Sequence, residues 1–379
     1  MLALALPKVG RCSVRQSSWA VFRGSKLSRM RKSRKTTGRA KPGHRMTTIQ
    51  DMARELGLSA MTVSRALNQH PDVKTETRQK ILALAAERRY RPNRWARSLV
   101  TRKSGIVGVV IPDISHSFFS EITRGVQDVI EQRGYNLMLC HSHGDTHREM
   151  QEIDMLVGSR VEGLIVASQQ TADSPESFIE LGQQGVPFVL IDRFFTDYDC
   201  AHVVVDDIAV GTLATEHLIE LGHTKIGHIP GPNITSSLLR TQGFCAAMQE
   251  HGLAVKQDWI VSSDYQKEGG YEAMRKLLKG SDRPTAVFAN NDPGAIGAIA
   301  ACREAGLGVP GDISIIGAGC IEGSYHPNPF VTTIDWPRTD LGRQAAEMLL
   351  RLVNGESIEQ RHVVFEPRLL VRQSTGPLR

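Results

Sequence analysis

Along residues 47–68 the apolar positions recur with helical rather than strand spacing. Ile49, Met52, Ala53 and Leu56 fall at i, i+3, i+4 and i+7, one face of a helix. Thr48 precedes this run and Asp51 follows three residues on, a capping-box-like start with Asp in place of Glu or Gln. Gly57 breaks the pattern where a positive φ is needed. Ser59 is the next N-cap. The second helix buries Val63, Ala66 and Leu67 and exposes Ala60, Met61, Thr62, Ser64 and Arg65. Two short helices around a glycine turn predict a helix-turn-helix, whose second helix enters the major groove N-terminus first. Ordinary packing of two amphipathic helices is the alternative. After a loop at Pro71–Lys74, Thr75 caps a helix over about 75–89. Its face of Ile81, Leu82, Leu84, Ala85 and Ala86 closes a three-helix domain.

Tyr90-Arg-Pro-Asn-Arg-Trp-Ala-Arg-Ser-Leu99 follows, with Pro92 opening a short helical stretch at Asn93–Leu99. That length is below the ~12–15 residues an isolated helix needs, so it is expected to order only when buried. From Ser104 the texture changes to strand–helix alternation. Continuous apolar strands are expected at Ile106–Asp113, Leu137–Cys140, Gly163–Ala167, Phe188–Asp192, Lys225–Pro230, Thr285–Ala289 and Ile313–Gly317. Amphipathic segments such as Phe119–Arg133, Ala209–Leu221 and Arg240–Gly252 separate them. Strands apolar on both faces imply parallel sheets covered on both sides, and this much chain exceeds one core, so two lobes are expected. The predicted fold class is an all-α helix-turn-helix head plus an α/β body. The expected divisions are a basic extension at 1–45, the head at 46–91, a hinge at 92–103 and the body at 104–379.

Charge sharpens that division. Residues 1–45 hold 13 Lys/Arg and no Asp/Glu, and residues 46–103 hold 12 against 5. The rest of the chain has 21 against 35, so a basic head sits on an acidic body and only the head suits a polyanion. The Arg- and Ser-rich start reads as disordered. It is either an organellar transit peptide, a non-specific basic tail, or a segment preceding a natural start at Met46. No apolar run approaches the ~20 residues of a membrane span. Six scattered cysteines without a Cys-x-x-Cys pair argue against a zinc finger or a disulfide scaffold and for a reducing cytoplasm.

Several motifs, in order, resemble the LacI/GalR (lactose-repressor-like) transcriptional regulators over nearly all of 47–379. They are Thr62-Val-Ser-Arg-Ala-Leu-Asn, Thr77-Arg, Tyr90-Arg-Pro-Asn with Ala96 and Leu99, Val110-Ile-Pro-Asp-Ile with Phe118-Phe119, Glu216-His-Leu-Ile-Glu-Leu-Gly-His, Ala289-Asn-Asn-Asp and Thr332-Thr-Ile. The resemblance implies a DNA-binding head, a hinge helix and a two-lobed body folded like periplasmic sugar-binding proteins. It also implies a chain that crosses between lobes more than once. The expected N-lobe is about 104–204 plus 311–333.

Arg65 is the expected base or phosphate contact, because its guanidinium can bind guanine bidentately. By resemblance Ala60 and Met61 choose the operator. Both are apolar here, which suits thymine methyls more than hydrogen-bond readout. Ser59, Thr62, Ser64 and Asn68 are expected phosphate anchors, with capping or simple exposure as the alternative. Ala96 belongs to the hinge motif, and Leu99 is by resemblance a minor-groove wedge, with plain core packing as the alternative.

Parallel α/β lobes bind ligands at the carboxyl ends of their strands. That nominates Asp113, Phe118 and Phe119 after the first strand and Asp292 after Thr285–Ala289, with core packing and helix capping as their alternatives. Arg240, at a helix start, and Tyr265 match family pocket positions, and Arg193 follows Leu190-Ile-Asp. Cys140-His-Ser-His-Gly-Asp-Thr-His147 could ligate zinc, but reads better as a solvated or ligand-facing loop. Gly317-Ala-Gly-Cys-Ile-Glu-Gly lacks the dinucleotide spacing and departs from the family's aromatic-acidic motif. No cofactor or catalytic arrangement is expected. The expected partners are a pseudo-palindromic double-stranded operator, a small-molecule effector such as a sugar, and a second copy of the chain, with no membrane. A repressor governed by an inducer or a corepressor is the first reading. An enzyme or a transport-type binding protein is the second, and salt-sensitive, sequence-specific DNA binding separates them.

Overall fold

In a computed structural model, which describes residues 47–90, 103–280, 282–320 and 329–378, the first helix starts where its capping box allows. Thr48 Oγ1 accepts from the Asp51 amide at 3.2 Å, and Asp51 Oδ2 accepts from the Thr48 amide at 3.1 Å. Helix α1 (Ile49–Leu56) ends at Gly57 with φ +63°. Helix α2 (Ala60–Leu67) is capped by Ser59, and α3 spans Thr75–Glu87. Thr75 is the first helical residue rather than a cap, since Lys74 precedes the helix and no side chain caps it. Met52, Ala53, Val63, Ala66, Ile81 and Leu84 form the head core. Leu82, expected on that face, is instead 45% exposed, because residue 82 points away from the i, i+3 stripe of Ile81 and Leu84.

The chain divides into two compact units, up to Arg91 and from Pro92. In the second unit the N-lobe sheet begins with β1 (Ile106–Ile111), β2 (Asn136–His141), β3 (Gly163–Val166) and β4 (Phe188–Ile191). It is completed by β5 (His202–Val205) and β10 (His362–Phe365) in the order β10-β5-β4-β3-β1-β2, every pair parallel. The C-lobe sheet joins β6 (Ile226–Ile229), β7 (Ala286–Ala289), β8 (Ser314–Ala318), β9 (Thr332–Asp335) and β11 (Arg368–Leu370) in the order β11-β9-β8-β7-β6. Only β11 runs antiparallel, along β9. The helices of the N-lobe are α4 (Ser117–Gln132), α5 (Thr146–Gly158) and α6 (Glu176–Gln183). The C-lobe adds α7 (Asp207–Glu220), α8 (Thr235–Glu250), α9 (Lys267–Leu277) and α10 (Asp292–Glu304). Helix α11 (Arg338–Val353) returns to the N-lobe.

That return corrects the expected division of the lobes. Residues 311–333 do not join the N-lobe: β8 and β9 pair in register beside β7. What returns is α11 and β10. Leu341, Ala345 and Leu349 of α11 are fully buried against α4, β3 and β4. The chain therefore passes between lobes at Asp206–Asp207, at Asp335–Arg338 and between β10 and β11.

Three helix pairs repeat one device. A Cβ on Gly125 of α4 would meet the Thr339 carbonyl of α11, and one on Gly342 of α11 would meet the Ile122 carbonyl of α4. Gly211 and Gly243 do the same for α7 and α8, as do Gly270 and Gly297 for α9 and α10. Backbones can approach this closely only where Cβ is missing. Among the described residues, no helix is long and apolar enough to cross a membrane.

His228 on β6 is fully buried, stacked on Phe244 and Phe288 with centroids 4.7 and 4.9 Å away. Its Nδ1 bonds the Phe288 carbonyl and its Nε2 the Thr241 hydroxyl, both at 3.0 Å. Burial pushes its pKa down to about 4. Between its ordinary value and that figure, falling pH protonates the unfolded chain first and so lowers stability, by roughly 2–4 kcal/mol across the window. The stability difference between wild type and His228→Phe, followed by urea denaturation, is therefore expected to narrow from neutral pH towards the folded pKa. A difference independent of pH would contradict this.

Candidate functional site

On the head, α2 presents Ala60, Met61 and Arg65 to solvent, Met61 with 63% of its surface exposed. Thr62 and Ser64 are half-buried. Ser59 Oγ accepts from the Thr62 amide at 3.0 Å and lies 2.9 Å from the Thr62 hydroxyl. Asn68 Nδ2 donates to the Ser64 carbonyl at 2.9 Å. Ser59 and Asn68 thus have local capping partners in the free head. Nearby cations are partly committed: Arg88 pairs with Glu55 at 2.6 Å, and Arg78 ties the His70 carbonyl to α3 at 2.7 Å. Arg65 makes no ion pair among the described residues, which leaves its guanidinium available on the α2 face. Ala96 and Leu99 lie outside the described residues, as does the extension at 1–45.

In the body, a cavity of about 490 Å³ opens where the carboxyl ends of the two sheets face each other. Nearly every parallel strand contributes just past its end. From the N-lobe come Asp113, His116, Phe118 and Phe119 after β1, His143 after β2, Gln169 after β3, and Asp192 and Arg193 after β4. From the C-lobe come Ser236 and Arg240 after β6, Asn291 after β7, Gly319 after β8 and Trp336 after β9. Six of the seven residues nominated from sequence, namely Asp113, Phe118, Phe119, Arg193, Arg240 and Tyr265, line this one space.

Asp292 does not line it. It is fully buried as the first residue of α10, and Oδ1 accepts from the Thr333 hydroxyl at 2.7 Å. Gly317 makes room for this carboxylate, since a Cβ there would meet Asp292 Oδ1. Its neighbour Asn291 faces the cavity instead and also caps α10, accepting from the Gly294 amide at 2.9 Å.

Arg240 is the hub of the floor. It sits well inside α8 rather than at its start, because the helix begins at Thr235. Its Nε donates to Asp207 Oδ1 and its Nη1 to the Asn290 carbonyl, each at 2.7 Å. Its guanidinium lies 5.1 Å from the Trp336 ring centroid, within cation–π range. Burial pushes Asp207 up to about 7, opposed chiefly by Arg240. Burial likewise works against charge on Arg240, but Asp207, Tyr265 and Asp192 outweigh it and keep the guanidinium charged. Phe118 stands edge-on to Trp336 at 5.8 Å and to Phe119 at 5.0 Å, so these rings are both core and cavity wall.

Among the described residues, several buried polar atoms at or beside the cavity have no hydrogen-bond partner: Arg193 Nε, Asp207 Oδ2, Tyr265 Oη, Asn290 Oδ1 and Trp336 Nε1. They mix donors with acceptors, and buried groups of this kind normally have partners. Tyr265 holds φ +69°, its carbonyl takes Asn291 Nδ2 at 2.8 Å, and only a glycine at 231 leaves room for its ring. Asp113 accepts from the Ser115 amide and hydroxyl at 2.8 and 2.7 Å. Burial pulls its pKa up, but these bonds and the nearby His116 and His141 outweigh that, and it lies below the ordinary value.

The Cys140–His147 stretch does not converge on a point. Cys140 packs into the N-lobe core, with burial pushing its thiol up to about 11. The His141 and His143 rings lie 4.1 Å apart at a tilt of 54°, and His147 bonds Gln151 on α5. His143 does face the cavity, within the stretch read as a solvated or ligand-facing loop. Sequence reasoning missed His116, Gln169, Asp192, Ser236, Asn291 and Trp336. The first polar residue beyond each apolar strand was the available signal for Gln169, Asp192 and Asn291. Trp336 follows β9, a strand whose Thr-Thr start hid it.

Comparison with known proteins gives two family matches. Residues 48–93 match the bacterial regulatory proteins of the lacI family. Residues 104–371 match the periplasmic binding proteins and sugar binding domain of the LacI family. The HTH-type transcriptional repressor PurR of Proteus mirabilis is 36% identical over 333 residues, 87% of this chain and 97% of its own. A lac repressor dimer bound to operator and the anti-inducer ONPF is similar with TM-score 0.77 and 26% identity, covering 88% of this chain and all of that one. A LacI family regulator from Enterococcus faecium with bound ribose has TM-score 0.64 and 32% identity, covering 72% of this chain and all of that one.

The floor generates a stability prediction. Arg240→Met strands the Asp207 carboxylate and is expected to destabilise the body by about 3–5 kcal/mol. The double variant Arg240→Met/Asp207→Leu should recover most of that loss in urea denaturation. A single variant no less stable than the double would contradict the buried pair.

Proposed function

The chain belongs to the LacI family of bacterial regulatory proteins, and on that footing we propose how its own residues carry out regulated DNA binding. It is a transcriptional repressor that binds a specific operator through its head and answers to a small molecule bound between its lobes. The observation that carries the reading is one chain holding both a helix-turn-helix with an exposed Arg65 and a two-lobed cavity walled by charged, amide and aromatic side chains.

Arg65 contacts guanine or phosphate from α2, while Ala60 and Met61 meet thymine methyl groups. Ser59, Thr62, Ser64 and Asn68 anchor phosphates once DNA competes for their local bonds. Ala96 and Leu99 belong to a hinge that folds against the minor groove, Leu99 as an apolar wedge. A homodimer sets two heads on a pseudo-palindrome. The domain divisions 46–91, 92–103 and 104–379 follow from these roles. Work on DNA places the protein in the cytoplasm, and no catalytic step is assigned to it.

The effector is a neutral, hydroxyl-rich molecule such as a sugar. Asp113, Asp192 and Asp264 on the wall outnumber Arg193 and Arg240, which disfavours an anion. Hydroxyls both donate and accept, which suits a wall that mixes carboxylates with guanidinium and amide groups. Phe118, Phe119 and Trp336 offer apolar faces to a ring.

The test selects binding sites from random duplex DNA and measures affinity by gel shift across salt concentrations. Arg65→Ala is expected to cost about 1–3 kcal/mol on the selected site and to relax its sequence preference. A protein that binds all duplexes equally, with or without Arg65, would contradict the reading.

A further inference from the structure

Glu149 is a carboxylate that the cavity does not touch and the α5 cap does not use. It is fully buried in the first turn of α5, whose cap is Asp145. Glu149 Oε1 accepts from the Ser168 hydroxyl at 2.7 Å, and Oε2 accepts from the Gln169 amide at 2.6 Å. Ser168 in turn takes the Gln170 amide on Oγ at 3.1 Å and Arg193 Nη1 on its carbonyl at 2.8 Å. Gln169 and Arg193 both line the cavity. Among the described residues Arg193 Nε has no hydrogen-bond acceptor, and the Asp192 carboxylate pairs with it at 3.3 Å.

We propose that Glu149 is a positioning residue for effector binding, fixing the 168–170 turn so that the Ser168 carbonyl aims the Arg193 guanidinium into the cavity. This rests on the effector reading of that cavity. The chemistry requires a carboxylate. Burying one is costly unless its oxygens are bonded, and both oxygens here accept from the turn. Glutamine has one acceptor oxygen; with that oxygen on the Gln169 N–H, its amide nitrogen faces the Ser168 hydroxyl, which must turn to accept and loses the carboxylate it donated to. Alanine would leave both donors buried and unpartnered. Either change frees the turn, and with it the carbonyl that holds Arg193.

The test uses the full chain as wild type, Glu149→Gln and Glu149→Ala. Arginine Nε–H resonances are recorded by heteronuclear NMR, with Arg193→Lys identifying the Arg193 signal, and ribose is titrated by calorimetry. Both Glu149 variants are expected to shift the Arg193 resonance and speed its hydrogen exchange. They are also expected to weaken ribose by roughly ten-fold or more, the loss of a charge-assisted bond, with Glu149→Gln the milder. Should Glu149→Ala fail to fold, Glu149→Gln carries the comparison alone. An Arg193 resonance unmoved in the folded variants overturns the proposal, even where ribose binding falls, because that pattern is merely structural. A shifted Arg193 resonance in a protein whose wild type takes no ribose supports the positioning role and counts against ribose as the effector.

Discussion

The Arg240 guanidinium reaches Asp207 only because α7 and α8 touch backbone to backbone. Gly211 lies against the Arg240 carbonyl and Gly243 against the Ile208 carbonyl, so no side chain separates the helices. Asp207 begins α7 at the first crossing between lobes, and Asn290 directly follows β7. Trp336 stands at the second crossing, 5.1 Å below the guanidinium. One cation thus ties together a lobe crossing, a strand end and a helix interior. Removing it leaves a carboxylate in a place where burial alone penalises charge. The cavity floor, and the ring wall that Trp336 shares with Phe118, depend on that pair.

The parts legible in sequence were those governed by local chemistry. The Thr48–Asp51 box, Gly57 and the Ser59 cap formed as read, because capping is decided within four residues. All seven expected body strands exist within a residue or two, because strands buried on both faces are apolar throughout. The strands that escaped were β5, β9, β10 and β11, all of four residues or fewer. Thr332 and Thr333 are polar yet buried, and His362 is exposed at an edge, so neither run stands out by hydropathy. The lobe assignment of 311–333 failed for a topological reason: nothing local says which sheet a strand joins.

The cavity shows the same boundary. The rule that parallel strands bind at their carboxyl ends found Asp113, Phe118 and Phe119, while Arg240 and Tyr265 came from the family resemblance and Arg193 from its place after Leu190-Ile-Asp. The strand-end rule failed at one position. It took Asp292 for Asn291, because a one-residue step at the start of α10 turns a side chain from the cavity into the sheet. Glu149 and Asp207 were invisible, since their importance lies in what they hold rather than in what they face. Ala60 and Met61 are exposed on α2, as the sequence suggested; under the proposed function, more of the recognition then rests on Arg65, on the hinge and on DNA shape.

Regulation of the operator by a ligand in a separate lobe pair is a coupling free energy, and such coupling is reciprocal. The direct measurement is effector affinity, by calorimetry, on the free protein and on the same protein saturated with its selected operator. The account predicts that the two affinities differ, by about 5–150-fold, and that operator affinity shifts by the same factor when effector saturates the protein. Identical effector affinity with and without operator would contradict it.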